Sequence, residues 1–436
     1  MVIGGFSVRP LKLFGAFFLL NLLPYAICVV GAQELPDLGT VLSREQDLST
    51  YYELIKKYPQ ILLQLPTSGG ITLIAPSNAA FANIPGTPLN SLWAADKPEI
   101  AVPILLYHVL ASSLSARSLA VGTPVYAPTL LRDPAWTSLG AGGQAILVNR
   151  QPGNVVVFVS GGGTRSTLRK ADIAFKGGLV QIVDNLLIPP GPLNVTLASF
   201  QDLSFLGALY AAGLYDELAG HGGGATNGTE RSSNYTIFAP SISGFQAVNT
   251  TLSNLAREAL AAVMRYHVVP SQVLPSTALT NATNHSTLAA ASDGQGTQLH
   301  VHRAGNNLYI NSAQVIQPDI LWAGGIIHII DNVLNPNVPD PVPDPELSVQ
   351  RPVFEGAVDD VATLSETGLP FTAALPCSVS CPVASSATVP RTTSSTTVGT
   401  SSSKALAARC TGSSGAPGVM NAVAGAAAVG VVLGSV

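Results

Sequence analysis

The sequence predicts an α+β fold built twice along one chain, and three observations carry that reading. A sixteen-residue pattern recurs without a gap, ADIAFKGGLVQIVDNL from Ala171 and PDILWAGGIIHIIDNV from Pro318. Each copy is preceded by the same landmarks in the same order: QDLS at Gln46 and Gln201, TLIAPSNAAF at Thr72 against TIFAPSISGF at Thr236, and LLYHVL at Leu105 against MRYHVV at Met264. A recurrence of that length and order is the signature of a duplicated domain. Within each copy helical periodicity comes early and strand-like segments come late, which favours α+β over a doubly wound sheet.

The elements follow in turn. STYYELIKKYPQILLQL and SFLGALYAAGLYDELAG place apolar residues three and four apart, as a helix with one buried face requires. Short strands follow, ITLIAP and YTIFAP, each ended by a proline, Pro76 or Pro240, that lacks a donor for a strand partner. Ser77 stands where a helix N-cap is needed. The second copy carries Gly244 within the same helix, which is expected to weaken it. QAILVNR and NVVVFVS, and in the second copy QLHVHR and NLYINS, read as strands joined by QPGN and AGNN turns. GLVQIVD and GIIHIID close the repeats.

Composition removes some functions. The formal net charge is -4 and only 11% of residues are charged, so no basic surface for nucleic acid is indicated. At 436 residues with 47% apolar types, there is material for two ordinary cores.

Both ends carry targeting patterns. Residues 1–32 hold Arg9, Lys12, an apolar run from Leu13 to Val30 and a small-residue end at Gly31 and Ala32, the pattern of a secretory signal peptide. A retained membrane anchor is the alternative, disfavoured by Asn21 and Pro24 inside the run. Residues 413–436 end in VMNAVAGAAAVGVVLGSV with no charge after Arg409, the pattern of a glycolipid (GPI) attachment signal with Ser413 or Ser414 as acceptor. Six Asn-x-Ser/Thr acceptors, Asn194, Asn227, Asn234, Asn249, Asn281 and Asn284, fit a glycosylated protein of the secretory route.

The first repeat is placed at 37–190 and the second at 194–336. Residues 337–376 contain NPNVPDPVPDPE, an extended proline-spaced linker, and a short mixed segment that either folds back on a domain or stays free. Residues 377–412 have the Ser/Thr-rich composition of an O-glycosylated stalk. Cys28 falls in the signal segment, and Cys377, Cys381 and Cys410 lie beyond both repeats, so the repeats are expected to be held by apolar burial without disulfides.

With these landmarks placed, the chain resembles the fasciclin domain family, in tandem. The resemblance rests on the strand-Pro-helix motifs at Thr72–Phe81 and Thr236–Phe245, the pairs Tyr107-His108 and Tyr266-His267, and the closing motifs around Asp184 and Asp331. It implies two wedge-shaped β-sandwiches with flanking helices, displayed at cell surfaces or in matrix, where the family mediates adhesion. The layout with a stalk and glycolipid signal is similar to fungal and plant members. The resemblance also implies partner binding at an Asp-Ile dipeptide before the closing strand, which maps to Asp172-Ile173 and Asp319-Ile320. The flanking residues differ, so the same partner is not implied.

Each candidate site has a plainer competitor. His108 and His267 read as core histidines satisfied by backbone, with a titrating contact as the alternative. Asp172 and Asp319 read either as contact residues or as turn formers. His300, His302 and His328 offer three imidazoles to zinc or copper only if their strands are neighbours, and solvent-facing positions are the favoured reading. GGGTRSTLRK lacks the Walker spacing and reads as a flexible connection. No GxSxG is present and no cysteine has a credible base nearby, so no enzyme and no cofactor are expected. The expected partners are other surface or matrix proteins, a second copy, wall polysaccharide, and the membrane through the anchor. The rival function is a carbohydrate- or lipid-binding module without an adhesive role.

Overall fold

The computed structural model describes residues 34–66, 70–219, 234–290, 296–338, 340–358 and 369–376. The signal segment, the stalk, Asn227, Ser413, Ser414 and every cysteine lie outside the described residues.

The first repeat opens with α1 (Leu38–Arg44), α2 (Ser49–Lys57) and α3 (Gln60–Leu63). The periodic stretch is split at Tyr58-Pro59, because a proline cannot supply the N–H that would continue the helix. β1 (Ile71–Pro76), α4 (Asn78–Ala82), α5 (Pro98–Tyr107) and β2 (Val109–Leu110) follow, then β3 (Val125–Pro128), β4 (Ala145–Arg150), β5 (Val156–Val159), β6 (Arg165–Phe175) and β7 (Gly178–Val183). The second repeat retraces this order with α6 (Leu193–Ser199), α7 (Leu203–Ala212), α8 (Tyr215–Ala219), β8 (Tyr235–Pro240), α9 (Ile242–Ser253) and α10 (Arg257–Tyr266). It continues through β9 (Val268–Pro270), β10 (Asn284–Ala290), β11 (Gly296–Ala304), β12 (Asn307–Ile310), β13 (Ala313–Trp322) and β14 (Gly325–Ile330).

Each repeat forms one seven-stranded sheet, in the order β2-β1-β7-β6-β5-β4-β3 and, at the matching positions, β9-β8-β14-β13-β12-β11-β10. The pairs β1 with β7 and β8 with β14 are parallel, with Leu73 opposite Val180 and Ile237 opposite Ile327, and the remaining ladders are antiparallel. A bridge from Leu110 to Thr129 joins the two end strands of the first sheet and nearly closes it into a barrel. Near-closure shortens the free edge that could pair with another chain.

β6 corrects the sequence reading. GGGTRSTLRK was expected to be a flexible connection, but only Gly161–Gly163 turns and Arg165 onward is strand. The period-2 signal fails because two bulges, between Leu168 and Lys170 and between Lys170 and Ile173, shift which side chains face inward. The Asp-Ile dipeptides lie inside β6 and β13, the strands that run immediately ahead of the closing strands, as expected.

α9 is a second correction. Gly244 was expected to weaken this helix, yet α9 runs twelve residues against five in α4, and both start on the same cap: Ser77 Oγ accepts from the Ala80 N–H and Ser241 Oγ from the Gly244 N–H. A Cβ at Gly244 would stand 2.5 Å from the Asp331 carbonyl oxygen, so this glycine lets α9 pack against the end of β14. The packing gain outweighs the propensity cost of about 1 kcal/mol.

The cores remain separate. Within each repeat one apolar cluster lies between helices and sheet and another fills the barrel, the first repeat's barrel around Tyr107, Ile146 and Phe158 and the second's around Phe238, Val301 and Ile310. Among the described residues a small apolar cluster of Leu147, Leu321 and Ile326 joins the repeats. Beside it the Ala323 carbonyl accepts from the Ser138 N–H (3.0 Å) and Thr137 Oγ1 (3.1 Å), the Trp322 carbonyl accepts from Gln144 Nε2 (3.2 Å), and the Ala323 N–H donates to Gly191 (2.8 Å). These buried bonds fix the angle between the domains.

Beyond β14 the chain folds back on the second repeat. Phe354, Ala357 and Phe371 pack against the helical core and Leu375 is buried in it. Gln350 is buried; its N–H donates to Asp331 Oδ2 (3.0 Å) and its carbonyl accepts from Asn332 Nδ2 (2.6 Å). Gly207 on α7 makes room, since a Cβ there would meet the Phe371 carbonyl at 2.3 Å.

The two helical glycines generate a paired expectation. Gly244→Ala should lower stability by about 1–3 kcal/mol through overpacking, whereas Gly39→Ala on α1, with nothing within 4 Å of the new Cβ, should be neutral or raise it. Denaturant midpoints of the two variants check this, and equal midpoints would refute the packing account.

Candidate functional site

The chemistry-bearing residues gather at two brackets that both repeats build alike. The first centres on the Tyr-His pair. His108 closes α5, and its position is set by the helix: Nδ1 lies 2.7 Å from the Ile104 carbonyl, one turn back. Nε2 accepts from the Leu187 N–H at 2.9 Å. His267 closes α10 in the same way, with Nδ1 2.8 Å from the Val263 carbonyl and Nε2 accepting from the Leu334 N–H at 2.9 Å. These bonds require the neutral tautomer protonated on Nδ1. Burial lowers both pKa values from 6.5 to about 4, against the opposing pull of the helix carbonyl. Each imidazole ties the end of a helix to the chain leaving the closing strand.

The adjacent tyrosines are spent inside the barrels. Tyr107 Oη donates to the Ala145 carbonyl (2.9 Å), and Tyr266 Oη donates to Gln298 (3.0 Å) while accepting from Asn311 Nδ2 (2.9 Å). The core-histidine reading holds at both pairs.

The second bracket is built at the bulges. Asp172 and Asp319 have φ of 54° and 65°, a left-handed conformation that Asp tolerates better than most residues. Asp172 Oδ2 accepts from Ser115 Oγ (2.8 Å) and Oδ1 from the Ala116 N–H (2.9 Å). Gln181 on β7 completes the bracket: its Oε1 accepts from the Asp172 N–H (2.9 Å), and its Nε2 donates to Asp172 Oδ1 (2.7 Å). Burial pushes the Asp172 pKa up, but donation from Gln181, Ala116 and Ser115 outweighs it and holds the carboxyl below its ordinary value. In the second repeat Asp319 accepts from the Ser276 N–H (2.7 Å) and hydroxyl. His328 stands in for Gln181. Its Nδ1 accepts from the Asp319 N–H (3.2 Å), and Nε2 lies 2.9 Å from the Leu274 carbonyl. Burial lowers the His328 pKa, against the Asp319 charge.

Several expectations change here. His328 was read as solvent-facing and is fully buried, stacked on Phe238. GIIHII is buried throughout because β14 pairs in parallel with β8 under cover on both faces, and its nearly continuous apolar run was the available signal. β12 and β13 separate His328 from His300 and His302, which leave one face of β11 toward Asp340 at 3.7 and 3.5 Å. Among the described residues no group of His, Cys, Asp and Glu has metal-holding geometry. The Asp carboxylates point into the brackets, with side chains 11% and 7% exposed. Ile173 is half-buried and Ile320 buried. Asn281 and Asn284 are exposed, while Asn194, Asn234 and Asn249 are half-buried. Sequence reasoning missed Gln181 and Gln144, whose bonding depends on residues far along the chain, and Asp202, a buried carboxylate that caps α7 by accepting from the Phe205 N–H.

Two near-barrels joined by buried hydrogen bonds, each laced to its helices by a neutral histidine, define a tandem α+β module whose polar groups serve as internal ties. The chain belongs to the fasciclin domain family: the Fasciclin domain model matches residues 46–189 and 202–336. It is 28% identical over 317 residues to a fasciclin-like arabinogalactan protein of Arthroderma benhamiae, covering 72% of this chain and 70% of that one. It is 26% identical to the fasciclin-like arabinogalactan protein elcF of Phaeosphaeria nodorum, covering 68% and 88%. A solved FAS1 domain pair from the insect cell adhesion molecule fasciclin I aligns over 66% of this chain and 97% of its own, at 20% identity and a TM-score of 0.30. Among the described residues no helix is long and apolar enough to cross a membrane.

The histidines fix a pH dependence. A folded pKa below the unfolded one means that stability is complete above pH 6.5 and is withdrawn as pH falls toward 4. Each clasp should account for about 3 kcal/mol over that window. Asp202, raised by burial from 3.8 to about 7, acts the other way: its contribution is complete below 3.8 and is lost as pH rises through about 7. Urea titrations from pH 4 to 7 should therefore show a flattened acid limb in His108→Phe/His267→Phe and stability rising with pH in Asp202→Asn. Unchanged pH profiles in both would refute the assignments.

Proposed function

We propose that the protein is a secreted, N-glycosylated, glycolipid-anchored surface protein whose paired fasciclin domains act in adhesion or in wall and matrix organisation without catalysis. The observation that carries this reading is the buried junction at Thr137, Gln144 and Ala323, through which the two domains are hydrogen-bonded to each other. Rigid modules lose little entropy when several anchored copies engage together, so weak single contacts add to useful avidity. The internal use of His108, His267 and both Asp-Ile aspartates supports recognition through outer faces rather than a reactive cleft. Similarity to fungal proteins named fasciclin-like arabinogalactan proteins supports a wall or surface setting. We place the partner contact of the Asp-Ile segments on their exposed neighbours, Ile316, Gln317 and Pro318 in the second repeat, held out by the Asp319 bracket.

Beads densely coated with the purified glycosylated chain should cluster or bind cells, and a sparse coating should not. Inert beads at high density would refute the adhesive reading.

A further inference from the structure

The duplication supplies an internal control for one surface feature. In the first repeat a groove of about 390 Å³ opens between α3, α5 and the Leu130–Asp133 segment. Its floor is aliphatic: Leu106 and Leu130 are buried and Val102 is half-buried. Its rim carries five planar polar side chains, those of Gln60, Gln64, Glu99, Arg132 and Asp133, all exposed. Pro103 lies inside α5 and has no N–H to give the Glu99 carbonyl, which frees a backbone acceptor beside the rim.

In the second repeat the matching helices α8 and α10 are tied to each other. Counting from QDLS and from the Tyr-His pair, Leu62 becomes Glu217 and Leu106 becomes Arg265. Those two side chains bridge α8 and α10 at 3.1 Å. Pro98 becomes Arg257, whose Nε reaches the Ala212 carbonyl at 3.4 Å. The same frame is thus cross-tied in one copy and left open in the other, so the opening is not demanded by the fold.

We propose that the first-repeat groove binds a neutral saccharide chain, a ligand class that rests on the surface role argued above. The lining selects this chemistry. Amide, carboxylate and guanidinium groups are planar forks whose paired polar atoms match adjacent hydroxyls. An anionic ligand would meet Glu99 and Asp133 and a cationic one Arg132, whereas a polyol finds donors and acceptors together. The aliphatic floor takes the C–H face of a sugar ring, and the volume lies within the range of small-ligand pockets.

The test is saturation-transfer NMR and calorimetry on the full glycosylated chain with three probes: a β-1,3-glucan hexamer, a chitin hexamer and a linear mannose trimer, repeated after the protein's own N-glycans are trimmed. At least one probe should bind, and Gln60→Ala/Gln64→Ala, which alters only exposed side chains, should weaken it by roughly tenfold or more. Leu62→Glu/Leu106→Arg, which installs the second repeat's tie, should abolish it. Binding of the mannose trimer alone, or binding seen only after trimming, identifies N-glycan as the occupant; binding of either hexamer identifies wall polysaccharide. No binding by any probe before or after trimming, or binding unchanged in both variants, overturns the proposal. Bead clustering that persists in the Gln60→Ala/Gln64→Ala variant leaves adhesion standing without the groove. Inert beads with intact saccharide binding sink the adhesive reading alone.

Discussion

The neutral imidazole at the end of α5, and its twin at the end of α10, is the tie on which the rest of each domain depends. A helix ends with carbonyls and a strand exit with N–H groups that lack regular partners, and burying either without compensation costs about 1–3 kcal/mol. His108 answers both at once, donating to the Ile104 carbonyl and accepting from the Leu187 N–H. No other single side chain offers a donor and an acceptor on opposite edges of one rigid ring with so little entropy to lose. The same bonds explain why the ring is neutral. A proton on Nε2 would leave the Leu187 N–H facing a donor inside a core with no water to screen it.

From that tie the layout follows. The clasp fixes helix against closing strand, the closing strand pairs in parallel with β1, and the bulged β6 wraps the far side. Bulges bend and twist a strand, and here they let one long element serve both halves of a nearly closed barrel. The left-handed aspartates sit within the bulges, and their carboxylates anchor the segment after β2 or β9 to the bulged strand. The brackets are conserved in role between the copies while Gln181 is exchanged for His328, because what the site needs is a buried acceptor for the Asp N–H and a donor for the facing carbonyl.

Much of this was legible in the sequence. The strand-Pro-helix motifs, the Ser caps, the turns and the closing strands are local signals, and the Tyr-His pairs could be read as core because they follow apolar helical segments. What escaped reading depends on distant partners. β6 hides its period behind bulges. Gly244 reads as a weak helix position until the Asp331 carbonyl is seen against it. The segment beyond Pro336 has the composition of a linker, and only the apolar bed on α7 and α9 turns Phe371 and Leu375 into core. The groove was invisible because Gln60 and Leu106, which both line it, lie 46 positions apart on two different helices.

The two copies show how a duplicated fold divides its labour. The helical core of each needs a cover, and they obtain it differently: the first from its own Ile84–Trp93 segment, packed with Leu89, Ile104 and Ile188, the second from the chain that follows it. Because Phe354, Phe371 and Leu375 complete the second core, that domain cannot be cut at Pro336 without exposing apolar surface. The first domain, covered internally, keeps α3 and α5 free of any such strap. Its groove can stay open at no cost to the core, since the floor residues are already buried by β-sheet and helix beneath. The cross-tie of Glu217 to Arg265 closes in the second copy the face that Leu62 and Leu106 leave open in the first, so one frame serves as a braced copy and as an open one.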